Sequence, residues 1–195
     1  MTNHLKSCGL PATRQPGGKS FHLFVEARYD KFYWMHLAVS TEASLERVDA
    51  FLRDIWLECC GHLSGFTIDG ASYVSDALEM GDKGMAAKLG RVLRTGMRFR
   101  YEYDYGSTTE LSLKVVGIRD RGKGKATVEL LARNDDPALA CQRCGIHPAT
   151  QICTDCLDKG NGWLCESCAE AHECGLEMCL PAVNSPRAGV CGYTG

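Results

Sequence analysis

Residues 141–174 read CQRCGIHPATQICTDCLDKGNGWLCESCAEAHEC. Three Cys-x2-Cys pairs and one His-x-Cys fall within this stretch. A Cys-x2-Cys pair places two sulfur atoms on one tight turn, where both point at a common centre. The segment therefore predicts two tetrahedral zinc sites of four ligands each, and the eight ligands are Cys141, Cys144, Cys153, Cys156, Cys165, Cys168, His172 and Cys174.

The distribution of the cysteines favours metal binding over disulfides. Nine of the 12 cysteines lie at or after Cys141, and only Cys59 and Cys60 lie between residues 9 and 140. Residues 1–20 lack the apolar core of a secretory signal, and no run approaches the roughly 18 apolar residues of a membrane span. We therefore expect a cytoplasmic protein whose thiols stay reduced and available to a metal.

The rest of the chain predicts an α+β fold with a mostly antiparallel sheet. The 195 residues are 45% hydrophobic and 24% charged, as in ordinary globular proteins, and the net charge of -2 excludes a polycation. Ser44 is predicted as an N-cap, with helical spacing behind it as far as residue 60. A shorter helix is expected at 85–94, and Asp69-Gly70 predicts a hairpin. Strand patterns cover 21–28, 32–40, 66–68, 72–74, 97–105, 108–118 and 125–132, and the last three predict a three-strand antiparallel run.

Three regions follow from these patterns. Residues 1–20 are polar and rich in Gly and Pro, which predicts a flexible arm. Residues 21–135 contain enough periodic apolar positions for a core of their own. Residues 136–195 do not, and we expect this C-terminal module to need metal in order to fold.

Residues 21–132 resemble the Ri-plasmid pRiA ORF-three-like domain family. The resemblance rests on His62-Leu63-Ser64-Gly65-Phe66, on Gly70-x2-Tyr73, and above all on RFRYEYDYG at 98–106. Many members continue with Asp and Trp after that Gly, whereas this chain continues Ser107-Thr108-Thr109-Glu110. The resemblance implies a prokaryotic α+β domain that is largely uncharacterised, and some relatives accompany insertion elements.

The end of the chain is similar to a subgroup of that family with a C-terminal zinc module. The matching residues begin at His172-Glu173-Cys174, continue as LPAVNSPR at 180–187, and end as GVCGY at 189–193.

The ligand spacing also resembles the B-box and related cross-brace modules, in which ligand pairs alternate between two ions. This resemblance implies that Cys141, Cys144, Cys165 and Cys168 hold one ion. Cys153, Cys156 and His172 would hold the other, with Cys174 as the preferred fourth ligand and Cys179 or Cys191 as rivals. The alternative is sequential pairing, in which the first four cysteines share one ion.

Four protein ligands leave no position for a reacting water, so we expect both zinc ions to be structural. Residues 137–195 also carry six acidic residues against three Lys and Arg. Thiolate-bound zinc makes the module more negative, which disfavours phosphate contacts and favours protein docking.

Other features suggest weaker candidates. Four cations, Arg119, Arg121, Lys123 and Lys125, are expected on a hairpin that could contact nucleic acid. Tyr101, Tyr103 and Tyr105 predict a buried face, and Asp104 either caps the turn at Gly106 or belongs to a cleft with Tyr103 and His62. The Cys59-Cys60 pair is interpreted as unreactive, and neither His36 nor His62 has a partner at a diagnostic spacing.

Three hypotheses follow, in this order of preference. The first is a non-enzymatic zinc-binding interaction protein or adaptor. The second is a nucleic-acid-associated accessory protein of plasmids or mobile elements, which would use the basic segment at 119–125. The third is an enzyme with its cleft near Asp104. The sequence contains no nucleophile–base set, no catalytic residue and no organic cofactor site that we can assign, and it leaves the oligomeric state open.

Overall fold

The protein is seen here as a computed structural model that describes residues 16–76, 80–122 and 126–195. Its larger sheet has eight strands: β1 (Pro16–Ala27), β2 (Trp34–Ser40), β3 (Ser64–Ile68), β4 (Ala71–Val74), β5 (Lys83–Gly84), β6 (Arg98–Tyr103), β7 (Thr109–Gly122) and β8 (Val128–Arg133). Their order is β5-β4-β3-β6-β7-β1-β2-β8, and every pair is antiparallel except β4 with β5. The predicted α+β class is confirmed.

One helical stretch packs against the large sheet. It consists of α1 (Leu45–Leu52) and a π-helical turn at Arg53–Leu57, so it ends before the predicted limit at residue 60. Its apolar side chains belong to the same buried cluster as the inward residues of the strands, among them Leu45, Val48, Leu52, Trp56, Leu23, Leu37 and Tyr101. The helical spacing thus marks the face that is buried against the sheet.

The free backbone N–H groups at the beginning of α1 find hydrogen-bond acceptors in a distant segment of the chain. Ser44 occupies the N-cap position, as predicted, but its side chain makes no capping hydrogen bond. Instead the N–H groups of Leu45 and Glu46 donate to the carbonyl oxygens of Ala87 and Met85, both at 3.0 Å. Because residues 85–88 serve in this way, the second helix is only α2 (Leu89–Val92) and not the predicted 85–94.

The hairpin at Asp69-Gly70 is confirmed. It joins β3 to β4 through two residues of positive φ, 48° and 77°, which is the conformation that a two-residue turn requires.

The predicted three-strand run at 97–132 is wrong in its last pairing. β6 pairs with β7, but β7 then pairs with β1, and β8 pairs with β2 at the sheet edge. β1 begins at Pro16, so residues 16–20, expected in the flexible arm, are strand residues that occupy the place beside the end of β7. Residues 1–15 of that arm lie outside the described residues.

A small sheet lies in the C-terminal module. It has the order β10-β9-β11, with β9 at Gln151–Cys153, β10 at Trp163–Leu164 and β11 at Cys179–Pro181, and the helix α3 follows β10 at Glu166–Glu170. Its cluster of buried residues contains only two side chains other than cysteine, Leu164 and Ala169. This cluster is therefore built mainly from thiols.

The last part of the chain returns to the large sheet. Arg133 at the end of β8 donates to the carbonyl oxygen of Asn184 at 2.6 Å, and the hydroxyl of Ser185 donates to the carbonyl oxygen of Trp56 at 2.5 Å. We refer to residues 184–193 as the tail. No helix in the described ranges combines the length and the apolar character that crossing a membrane would demand.

Candidate metal centres

The first centre brings together two turns that lie far apart in the sequence. Cys141 and Cys144 form a tight turn in which the N–H of Gly145 donates to the carbonyl oxygen of Cys141 at 2.8 Å. Cys165 is the N-cap of α3, and Cys168 lies within that helix. The ligand atoms of these four cysteines all lie within 4.8 Å of one another.

The second centre begins at the end of β9. Three segments supply its ligands: the end of β9, the turn that follows it, and the segment after α3. The ligands are Cys153, Cys156, His172 and Cys174, and their ligand atoms also lie within 4.8 Å of one another. In the described part of the chain, the buried Nε2 of His172 has no hydrogen-bond partner. An unpaired buried nitrogen is costly, and a metal ion in the centre would satisfy it.

The sulfur spacings fit tetrahedral coordination. A zinc ion with Zn–S bonds of about 2.3 Å keeps its thiolates about 3.8 Å apart. The distance from Cys144 Sγ to Cys165 Sγ is 3.9 Å in the first centre, and that from Cys156 Sγ to Cys174 Sγ is 3.7 Å in the second. Both groups could therefore hold a metal ion.

The thiols of each centre influence one another strongly. Burial raises the pKa of Cys141, but the backbone N–H groups of Cys144, Cys165 and Arg143 outweigh it and lower that pKa to about 6. The pKa of Cys168 is raised, first by its hydrogen bond with Cys165, and that of Cys174 is raised first by Cys156. Four packed thiols cannot all ionise without a cation, because the thiolates would repel one another. A divalent cation bound between them removes that repulsion.

The structure groups the predicted ligands in the interleaved manner of a cross-brace and not sequentially. Cys141 and Cys144 lie with the pair Cys165 and Cys168, across the intervening pair. Cys179, a rival for the eighth position, is close to the second centre but outside the group of four; its thiol lies 3.8 Å from the carbonyl oxygen of Gly175.

A third cluster was missed by the sequence reasoning. Cys59, Cys60, His62 and Cys191 also place their ligand atoms within 4.8 Å of one another. The first three follow the π-helical turn, whereas Cys191 comes from the tail, 129 residues after His62. No local spacing could reveal this group, although the short Cys-Cys-Gly-His stretch was a signal that three possible ligands lie together.

Asp104 is buried, and its carboxylate is hydrogen-bonded on both oxygens. Its carboxylate accepts hydrogen bonds from Arg187 Nη2 at 2.7 Å and from the N–H of Gly106 at 2.9 Å, which confirms the predicted turn-capping role. Burial raises the pKa of Asp104, but the hydrogen bonds from Arg187, Gly106 and Ser107 lower it below its ordinary value. Tyr101 and Tyr103 are fully buried as expected, while Tyr105 is exposed.

The basic segment does not form the predicted hairpin. Arg119 and Arg121 belong to β7, and Asp120 between them accepts a hydrogen bond from Lys19 of β1 at 2.6 Å. Lys123 and Lys125 lie outside the described residues. His36 is buried and its Nδ1 lies 2.9 Å from Nε2 of His22, so it has a partner that sequence spacing did not indicate.

Comparison with known proteins bears on the fold alone. No protein-family model matches the chain, and no curated protein matches its sequence. A solved structure of a protein of unknown function from Methanosarcina mazei Go1 is similar, with a TM-score of 0.52 and 17% identity, over 59% of this chain and 68% of that one.

Proposed function

We propose that this protein binds zinc and acts as a non-enzymatic interaction protein. The C-terminal module would be a cross-brace folded around two structural zinc ions. The observation that carries this proposal is the convergence of eight predicted ligands into two groups of four, with the unpaired Nε2 of His172 among them. Sets of four thiolates, or three thiolates and one imidazole, are the usual ligands of structural zinc.

The composition of the module's interior supports a structural role for the metal. Four of the six residues in its buried cluster are cysteines. With so few other apolar groups, the hydrophobic effect alone gives little stability. The binding free energy of the ions would instead be the folding free energy, roughly 10–16 kcal/mol for a structural zinc.

The surface of the module favours a basic protein partner. All six acidic residues of the 137–195 segment are exposed: Asp155, Asp158, Glu166, Glu170, Glu173 and Glu177. Of its three cations, Arg187 is buried against Asp104 and adds nothing to the surface. Two zinc sites with seven thiolates would add three further negative charges. Ile146, 79% exposed, offers an apolar contact on the same module.

Nucleic-acid association remains the alternative proposal, and it would rest on Arg119, Arg121, Lys123 and Lys125. The intervening Asp120 and its pairing with Lys19 reduce the positive charge available there. The variant R121Q/K123Q/K125Q tests this alternative, because it should weaken DNA binding and its salt dependence if the segment contacts phosphates. We also retain, from the residues at 62–73 and 98–106, the proposal that residues 21–132 belong to the Ri-plasmid pRiA ORF-three-like family.

Zinc content of the purified chain tests the main proposal. We expect C144S and C156S each to lower the zinc content by one ion per chain, and the double variant to lower it by two. C179S is the matched control, because Cys179 belongs to none of the three groups. The C179S protein should keep the zinc content of the wild type. Unchanged zinc in C144S and C156S would overturn the metal assignment.

The interaction role needs a separate experiment. Binding of a basic peptide to the zinc-loaded chain should weaken with salt and with D155N/D158N, two exposed substitutions that leave every ligand in place. I146D should weaken binding further if the exposed isoleucine contributes. Equal binding by all three forms would contradict a docking role for this surface.

A further inference from the structure

We propose a third metal site, formed by Cys59, Cys60, His62 and Cys191, that takes a thiophilic divalent cation such as zinc and fastens the tail to the large sheet. Its ligands lie outside both centres of the C-terminal module, so the proposal stands on separate observations.

The distances within the third cluster are those of a ligand set. Cys60 Sγ lies 3.8 Å from Cys59 Sγ and 4.0 Å from Cys191 Sγ, which matches the sulfur spacing of about 3.8 Å around a tetrahedral zinc. Nε2 of His62 lies 3.1 Å from Cys60 Sγ and 3.2 Å from Cys191 Sγ. Three thiolates and one imidazole form a familiar structural zinc set.

Local backbone geometry brings together the three ligands that lie on the large-sheet side, Cys59, Cys60 and His62. The π-helical turn ends at Leu57, and Glu58 is extended. Gly61 then adopts a φ of 80°, and its N–H donates to the Glu58 carboxylate at 2.5 Å. A residue with a side chain rarely adopts this φ, so the glycine lets Cys60 and His62 turn toward one point. Single π-helical turns are frequent beside functional sites.

The tail is held in a strained conformation where it reaches the cluster. Cys191 has a φ of 51°, and among the described residues the other non-glycine residues with positive φ are Asp69 and Asp104. Asp69 belongs to the hairpin turn, whereas Asp104 lies 3.4 Å from Nε2 of His62. Two of the three non-glycine residues with positive φ in the described ranges therefore lie at this one place, and such backbone conformations often cluster at functional sites.

A catalytic Cys-His-Asp arrangement would need a different geometry. In such a triad the imidazole bonds the nucleophile with one ring nitrogen and the acid with the other. Here Cys60, Cys191 and Asp104 all approach the same atom, Nε2 of His62. A single nitrogen surrounded by two sulfurs is the arrangement of a ligand atom directed at a metal.

Arg187 supplies positive charge next to the site. Its Nη2 lies 3.4 Å from Cys59 Sγ and 2.7 Å from Asp104 Oδ2, and its side chain is completely buried. Three thiolates around a divalent ion leave one net negative charge, which a neighbouring guanidinium stabilises. The tail thus brings both a ligand and a counter-charge to the sheet.

The third ion should also be the most accessible of the three. Cys60 and Cys191 are exposed, whereas Cys141, Cys153, Cys156 and Cys165 are buried. A chelator can therefore reach the third site first. We expect one zinc per chain to be released faster than the other two when the intact protein is mixed with a coloured chelator.

The test combines zinc content with the kinetics of release in the full chain. Wild-type protein should contain three zinc ions, C60S and C191S two each, and C179S three as the matched control. The fast phase of release should disappear in C60S and C191S, and the tail should become more sensitive to protease. Zinc content of C144S tests the metal centres of the module independently, and the loss of one ion is expected there.

Several outcomes would overturn the proposal. Equal zinc content in wild type, C60S and C191S would do so, even if C144S loses an ion and the module's centres therefore stand. A disulfide among these cysteines, detected by counting free thiols of the denatured chain without reductant, would also reject the site. Should C191S fold poorly, the release kinetics of the wild-type protein still decide, because a single slow phase refutes an exposed third ion.

Discussion

Arg187 provides a stringent test of how the tail is attached to the large sheet. Its side chain is 0% exposed, and it donates to Asp104, to the carbonyl oxygen of Ser107 at 3.0 Å and to the hydroxyl of Thr109 at 3.1 Å. In R187M the unbranched apolar stem is kept, but Asp104 becomes a buried carboxylate without its counter-ion. Breaking a buried pair in this way costs about 3–5 kcal/mol, against a total stability of roughly 5–15 kcal/mol.

A second substitution separates the charge effect from the loss of packing. Asp104 has a φ of 64°, which asparagine tolerates well, so D104N removes the charge without straining the turn. We expect D104N/R187M to be more stable than R187M by about 2 kcal/mol, because no uncompensated charge remains. Urea unfolding at neutral pH with zinc present, followed by far-UV circular dichroism, measures these differences. A cost below about 1 kcal/mol for R187M, or no recovery in the double variant, would refute this reasoning.

Three further predictions concern other parts of the molecule. Chelation of zinc should unfold the small sheet and change the fluorescence of Trp163 while the circular dichroism of the large sheet persists, and W163F should lose this part of the fluorescence change. G162A should weaken zinc binding about 10-fold, because the new Cβ would lie 2.7 Å from the backbone of Leu157 and 2.8 Å from the carbonyl oxygen of Cys153; G84A, whose Cβ meets nothing within 4 Å, should bind as wild type. Burial raises the pKa of Glu110, but hydrogen bonds from Tyr29 and Arg28 lower that pKa overall. The ionised carboxylate therefore stabilises the fold above about pH 4.3, and this stabilisation is lost as pH falls through the depressed pKa. Unfolding free energies measured from pH 6 to 3 should fall less steeply in E110Q than in wild type, and identical slopes would count against this ion pair.

Local patterns in the sequence predicted those structural features that depend only on residues close together in the chain. The Asp69-Gly70 turn requires positive φ at two adjacent positions, and only a few residue types accept it, so the hairpin could be predicted. The Cys-x2-Cys turns likewise bring two ligands together without help from the rest of the chain. The strand predicted at 97–105, observed as β6, was visible because Phe99, Tyr101 and Tyr103 alternate with charged residues and are buried.

What the sequence did not indicate depends on contacts between distant segments. β8 follows β7 in the chain but pairs with β2, because β1 occupies the position beside β7. The second helix was overestimated because the carbonyl oxygens of Met85 and Ala87 bond the start of α1. The third cluster joins residues 129 positions apart, and neither the Cys59-Cys60 pair nor His62 carries a spacing that points to Cys191.

The attachment of the tail has a consequence for synthesis of the chain on the ribosome. Every strand of the large sheet is translated before Arg187, which is made 83 residues after Asp104. Until then the nascent sheet holds a carboxylate whose counter-ion does not yet exist, and Trp56 lacks the hydrogen bond from Ser185. The N-terminal part can therefore begin to fold as it emerges, but it reaches its final stability only after the whole cysteine-rich segment has passed through the exit tunnel.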